Sequence, residues 1–458
     1  MLKDKAIDYA TAGAGELARA VAARQVSAVE LFEAAVAAIE ARDGPINAVV
    51  VRDFDRAHGA ARAADAAVAR GETGPLLGVP MTVKEAFHVA GLPTTWGLAP
   101  HKDFRPSWDA TGVARLKGAG AVILGKTNVP PNLGDWQSVN PIYGRTNNPY
   151  DLGRVPGGSS GGSAAALAAG MTPLEFGSDI GGSIRVPSHM CGVFGHKPTY
   201  GLVPQTGHTP PPVDRVGEPA LFNVVGPMAR SAADLELALG ILAGPERDDA
   251  VGYQLQLPPP RATALKDFRV LVLTSNPIAG VDDEVAGPIE RLAEQLGRLG
   301  AHVSHASPLL PDLAATFATY MPMLTNAMGR GRSDGPPPMN AFEWMAGLDK
   351  IVGARTQWAA LFQAFDVVLA PPFGTAAFPH KPEEFSTRTL TINGAETPYG
   401  LQLAWPGVAT FPGLPSTCAP IARTAGGLPT GVQIIGPRFE DLTPIAFAGL
   451  IAREFGIQ

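Results

Sequence analysis

The sequence predicts an α/β protein, an open β-sheet covered by helices on both faces. Three observations lead there. Short apolar, partly β-branched runs at Leu77–Val83 and Ala121–Leu124 read as buried strands. Longer stretches carry apolar residues at helical spacing. A strand at Arg269–Thr274, a helix with Val285, Ile289, Leu292, Leu296 and Leu299 on one face, and a strand at Ala301–His305 together make a βαβ unit.

The elements follow in chain order. Ser27 to Glu30 is a capping box, and Leu31, Ala35 and Ile39 continue a helix that Gly44-Pro45 should stop. The strand at 77–83 delivers Lys84-Glu85, and the strand at 121–124 delivers Lys126-Thr127-Asn128. Phe365–Ala370 and Val432–Ile435 are further strands, and a helix from Leu442 to Phe455 follows them. The Pro- and Gly-rich stretches Gln205–Pro219 and Gly329–Pro338 read as loops within one unit spanning 1–458 rather than as linkers. There is no internal repeat.

Composition narrows the function. The chain has 458 residues, 45% hydrophobic and 17% charged, with a net charge of -6 and no basic block. A small neutral substrate fits this better than nucleic acid or an anionic membrane. The start lacks a signal-peptide core, and no apolar run approaches the roughly 18 residues that span a bilayer, so a cytoplasmic location is expected. Only Cys191 and Cys418 are present, and the nine histidines show no H-E-x-x-H spacing, so no metal and no other cofactor is expected.

The chemistry concentrates between Gly157 and Lys197, where PGGSSGGSAAALAAG precedes GSDIGGSIRVPSHMCGVFGHKP. A flexible Gly/Ser linker would not lead straight into apolar Ala164–Ala169 or alternate with Phe176, Ile180 and Phe194. A phosphate loop would need a Gly-Lys-Ser/Thr that is missing. Glycines in a packed region mean close backbone approach or positive φ. An oxyanion hole needs such approach, and Ile180, Gly181, Gly182 and Ser183 can supply its N–H donors. Ser183, at the end of that turn, is the leading nucleophile. Its base is left between His189 or His196, which can equally be packed structural residues, and Lys84, a lysine that burial after an apolar strand would keep neutral.

GVPMTVKEAF around Lys84, GGSSGGSAAALAAG around Ser159 and GSDIGGSIRVPSHMCGVFGHKPTYGLVP around Ser183 together resemble the amidase signature family. The similarity extends from SAVELFEAAVAAIEARDGPINAV near the N terminus to GLPTGVQIIGP near the end. The resemblance implies a single large mixed sheet, with a signature core at about 75–205. It also implies a seryl acyl-enzyme hydrolase of amides, whether anilide, aryl or acyl, or of carbamates, with side esterase activity. Ser183 would be the nucleophile, Ser159 a serine preceded by a cis peptide, and Lys84 the base; the spacing of 24 (183 − 159) selects Ser159 over Ser160. For an amide the acyl product is a carboxylic acid; for a carbamate it is an alcohol plus carbon dioxide. Ser160, Ser178, Asp179 and Arg185 are expected to support the site, with Asp179 and Arg185 as a buried pair and Ser178 bonded locally.

Variable segments at about 130–137, 205–220 and 315–345 should form the pocket, with Leu133, Gly134, Trp136, Met321 and Met328 as candidate lining. Met323, Met339, Met345, Phe317, Phe342 and Trp344 fall in the last segment; a permissive hydrophobic pocket and ordinary core packing both account for them. Ala409 to Pro415 departs from the Asn the family often has there, which disfavours the glutamine-using amidotransferase subunit. The presence of all three triad candidates disfavours a non-catalytic binding member. The expected partner is a small amide or carbamate, and the expected state is a monomer or homodimer.

Overall fold

A computed structural model describes residues 7–214, 219–329 and 337–457. Its centre is an eleven-stranded mixed sheet. In chain order the strands are β1 (Val49–Arg52), β2 (Pro80–Lys84), β3 (Val122–Thr127), β4 (Leu174–Asp179), β5 (Phe194–Lys197) and β6 (Val224–Ala229), followed by β7 (Arg269–Val272), β8 (His302–Ser304), β9 (Val367–Ala370), β10 (Ser416–Arg423) and β11 (Pro429–Ile435). They lie in the order β1-β3-β2-β4-β6-β5-β10-β11-β9-β7-β8. β1 pairs antiparallel with β3 at one edge; parallel pairing joins β3, β2 and β4 next to it and β9, β7 and β8 at the other end, and antiparallel pairs fill the middle. The βαβ unit read from the sequence is β7, the helix Asp283–Arg298 and β8, with His302 paired to Arg269.

Helices cover both faces, and the alternation along β6 shows how. Val225 and Ala229 join the core under helices Ala232–Leu242 and Leu442–Phe455, whereas Met228 faces the layer of helices Gly161–Ala168 and Arg185–Cys191. Every residue of β2, β3 and β4 is buried, as parallel strands covered on both sides require. Helix 161–168 lies so close to β3 that a Cβ at Gly162 would sit 2.3 Å from the Asn128 nitrogen, so only glycine fits. No helix among the described residues is long and apolar enough to cross a membrane.

Local signals and outcomes differ at several boundaries. The capping box forms, with Glu30 N–H on Ser27 Oγ at 3.1 Å and Ser27 N–H on Glu30 Oε2 at 2.7 Å. Gly44-Pro45 does not end that helix; it runs to Ile46 and stops at Asn47, which adopts the left-handed conformation at φ 58°. A proline in the last turn forfeits only one backbone bond, so a following residue that reverses the chain sets the end. The strands expected at 77–83 and 121–124 are shifted toward their polar ends, so Lys84, Lys126 and Thr127 lie inside strands rather than after them. The loop at 205–219 has no regular element among its described residues; 215–218 lie outside them. Of the loop at 329–338, Gly329 ends a helix and 330–336 lie outside the described residues.

Candidate active site

Three segments meet at the C-terminal ends of β2 and β4, the side of a parallel sheet where ligands bind. β2 ends in Lys84. β4, paired to it with Val83 opposite Phe176, ends in Ser178 and Asp179, and the turn Ile180–Ile184 follows. The third segment, Gly158-Ser159-Ser160, enters helix 161–168, and its Gly158–Ser159 peptide is cis.

Lys84 is completely buried. Its Nζ lies 2.6 Å from Ser159 Oγ, 2.8 Å from Ser178 Oγ and 3.5 Å from the Ser178 carbonyl. Burial holds its pKa well below the usual lysine value, and the Asp179 charge opposes this only in part. A neutral amine in this setting donates to one hydroxyl and can take a proton from another. Ser178 therefore does not bond locally: it lies in a strand, and its hydroxyl reaches a side chain 94 residues away in sequence. Ser160 fastens β4, with Oγ on the Ser178 carbonyl at 3.3 Å and accepting from the Ser178 N–H at 3.4 Å, while its own N–H donates to the Ser183 carbonyl at 3.1 Å. Among the described residues the Ser183 hydroxyl has no hydrogen-bond partner, and Ser183 is 6% exposed.

The turn is held from below by Asp179 and Arg185, both fully buried. Two guanidinium-carboxylate bonds of 2.9 and 3.0 Å join them, and Arg185 continues to the Pro406 carbonyl, Gln433 Oε1 and Thr410 Oγ1 at 2.8–2.9 Å. Burial pushes the Asp179 pKa up, but the charge and hydrogen bonds of Arg185, the Lys197 charge and the Ile184 N–H together outweigh it and hold the carboxyl at about 2. The same carboxylate accepts the N–H groups of Gly182 at 2.8 Å and Ile184 at 3.1 Å. The Gly182 amide, expected as an oxyanion donor, is thus already committed to Asp179. Among the described residues the amides of Ile180, Gly181 and Ser183 meet no acceptor. Gly182 is nonetheless required, with φ +97° and a Cβ that would approach Val186 Cγ2 to 2.7 Å. Arg185→Met should destabilise the fold by about 3–5 kcal/mol, since it leaves Asp179 buried without its partner; urea denaturation followed by far-UV circular dichroism checks this.

Both candidate histidine bases are engaged elsewhere. His189 accepts the Gly431 N–H at 2.8 Å and lies 3.0 Å from the Thr375 carbonyl, and burial pushes its pKa down to about 4. His196 sits between Thr417 Oγ1 and Asp441 Oδ1, at 2.9 and 3.1 Å. The second polar strand end is structural too: Lys126 donates to Thr94 at 2.7 Å, and Glu85 accepts the Thr95 and Trp96 amides at 2.6 and 2.9 Å, which fixes the loop after β2.

The pocket candidates divide. Trp136 is buried beside the turn, with its indole N–H on the Gly181 carbonyl at 2.9 Å. Met321 and Met328 are half-buried against an apolar cluster that also takes in Ile180. Leu133 instead packs away from that cluster, with Ala86, Trp96 and Val129, and Gly134 is exposed. In the 315–345 segment Met323 is core, Phe317, Met339 and Trp344 are half-buried, and Phe342 and Met345 are exposed. Sequence reasoning missed Tyr320, whose hydroxyl reaches the Ile180 carbonyl at 2.9 Å, and Thr410, Pro406 and Gln433, which hold Arg185. The run of apolar residues around Tyr320 carries no motif that could have singled it out. A surface cavity of about 470 Å³ between helix 54–69 and β3 contains none of these residues. No cluster of metal-ligating side chains occurs among the described residues.

The family model described as Amidase matches residues 30–335 and 339–443. A glutamyl-tRNA(Gln) amidotransferase subunit of Roseiflexus castenholzii is 34% identical over 93% of this chain and 92% of its own length. Human fatty-acid amide hydrolase 2 is 32% identical over 96% of this chain and 88% of its own. The crystal structure of a bacterial aryl acylamidase of the amidase signature family superposes with a TM-score of 0.83 at 26% identity, covering 97% of this chain and 96% of that one.

Proposed function

The chain belongs to the amidase signature family of amidohydrolases, and from that premise we propose that it cleaves the C–N bond of hydrophobic amides or carbamates through an acyl-enzyme on Ser183. The observation that carries this reading is the fully buried Lys84 amine, 2.6 Å from Ser159 Oγ and biased toward its neutral form.

In the proposed mechanism neutral Lys84 accepts the Ser159 proton while Ser159 accepts the Ser183 proton, and Ser183 Oγ attacks the carbonyl. This step requires the Ser183 hydroxyl to bond to Ser159 once substrate is bound, since catalytic hydrogen bonds commonly tighten only in the substrate complex. The Gly181 and Ser183 amides, with Ile180 beside them, receive the oxyanion. The relay then runs backwards and protonates the departing nitrogen, which would otherwise leave as an amine anion. Water, deprotonated through the same serine–lysine pair, releases the acyl group.

The apolar cluster around Ile180, with Met321 and Met328 on its rim, supports a hydrophobic substrate over glutamine. The human relative is named for fatty-acid amides and the structural neighbour for aryl acylamides, in keeping with this. A second reading, an amidotransferase-type subunit that releases ammonia from glutamine, is favoured by the 34% identical relative. Nitroanilides, nitrophenyl carbamates and glutamine offered to the purified chain separate the two. Release of nitroaniline or nitrophenol with no ammonia from glutamine is the expected result; ammonia from glutamine alone would overturn the hydrophobic-substrate reading.

A further inference from the structure

The peptide groups of the turn do not orient themselves; side chains from two distant segments hold them. Tyr320, on helix Leu313–Gly329, donates its hydroxyl to the Ile180 carbonyl at 2.9 Å. Trp136 donates its indole N–H to the Gly181 carbonyl at 2.9 Å. The third carbonyl, of Gly182, accepts the Val186 N–H at 2.7 Å from the following helix. In a trans peptide the C=O and the next N–H point in opposite directions. Holding the Ile180 carbonyl against Tyr320 therefore turns the Gly181 N–H away from Tyr320, and this amide meets no protein acceptor among the described residues. Holding the Gly181 carbonyl against Trp136 sends the Gly182 N–H to Asp179 instead.

We propose that Tyr320 and Trp136 are positioning residues for the oxyanion site: Tyr320, by clamping the Ile180 carbonyl, aims the Gly181 N–H at the acyl oxygen in the transition state, and Trp136, by clamping the Gly181 carbonyl, keeps the next peptide turned to Asp179 so that the turn holds this shape. The proposal rests on the reading of Ser183 as nucleophile. Both braces are rigid. Tyr320 is fully buried, its ring edge-on to Phe222 at 5.3 Å, and it packs so closely on Gly407 that a Cβ there would meet the ring at 2.9 Å. Trp136 is edge-on to Phe373 at 4.8 Å and Tyr399 at 5.0 Å. Met321 follows Tyr320 on the helix, so the segment expected to contact the acyl chain also sets the direction of an oxyanion donor.

Tyr320→Phe removes the hydroxyl and keeps the ring packing. It should lower kcat on a nitroanilide by about tenfold to a hundredfold, less than the loss of a direct donor, with KM within about twofold. Affinity for an aryl boronic acid, which forms a tetrahedral adduct on the serine, should fall by the same factor as kcat. Trp136→Phe should shift both quantities in the same direction and less, because its peptide serves Asp179. Wild-type kcat and boronate affinity in Tyr320→Phe would overturn the proposal, as would a loss confined to KM and thermal stability. If Tyr320→Phe cannot be recovered folded, Trp136→Phe decides, and unchanged kcat and boronate affinity there overturn the proposal. Ser183→Ala, run alongside, separates the failures: turnover surviving in it removes the nucleophile reading itself, whereas its inactivity beside an unaltered Tyr320→Phe removes only the positioning role.

Discussion

Ser183→Ala is expected to lower kcat on any amide or ester substrate by about a millionfold, the scale on which a nucleophilic serine is lost, while leaving the fold intact. The second half follows from the site. Among the described residues the Ser183 hydroxyl holds nothing, and the two contacts that tie residue 183 into the turn, its carbonyl and its backbone position before Ile184, survive in alanine. Thermal melting should therefore match wild type within about 1 °C, which for a chain of this length corresponds to about 1 kcal/mol. Mass spectrometry after brief exposure to a nitrophenyl ester should find an acyl adduct on wild type and none on the variant. Unchanged turnover would transfer the nucleophile elsewhere and remove the relay with it.

Lys84→Met is expected to lower kcat by about 10⁴-fold or more, as removal of other members of a catalytic triad does, and to raise stability at the same time. The activity loss follows because Ser159 would have no base within reach. The stability gain follows from linkage. The pKa of Lys84 is depressed in the folded state, so between that value and about 10.4 the unfolded chain binds one proton more than the folded chain. Wild-type stability therefore rises with pH across that window, and the penalty is greatest below the folded pKa. Methionine carries no such term. The melting temperature of Lys84→Met should exceed that of wild type by most at acid pH, and the difference should shrink as pH approaches 10. In wild type, kcat should fall toward acid as Lys84 gains its proton. Lys197, another buried lysine, which burial pushes down to about 7, can also titrate near neutrality, and Lys197→Met keeping the same acid limb assigns that limb to Lys84. A melting difference independent of pH would contradict the neutral lysine.

Each of these experiments concerns residues whose types are visible in the sequence, but that visibility is uneven. Ser159 and Ser183 stand in motifs dense with glycine, where close backbone approach restricts the residue at many successive positions, so a short stretch carries much information, whereas Lys84 shows as the polar end of an apolar strand. Local reasoning misplaces Ser178 because a hydroxyl in a turn has local partners available, whereas in β4 the local backbone groups are spent on the sheet and its side chain turns to Lys84. Gly182 reads as an oxyanion donor because composition places four amides in the turn, yet composition cannot show that Asp179 claims one of them.

The sequence by itself determined the α/β class, the βαβ unit at β7 and β8, and the identity of the motif residues that meet at the strand ends, because hydrophobic period, capping and glycine demand are local properties readable over a few residues. Only the tertiary structure decided the strand order, the burial that lowers the pKa of Lys84, the ends of helices such as the one stopped by Asn47 rather than Pro45, and the bracing of the turn by Tyr320, Trp136 and Arg185. Apart from the Arg185–Asp179 pair, the bracing contacts join residues 45 to 248 apart in the chain, whose meeting is governed by how layers pack and which polar groups remain unsatisfied, and no local pattern records that.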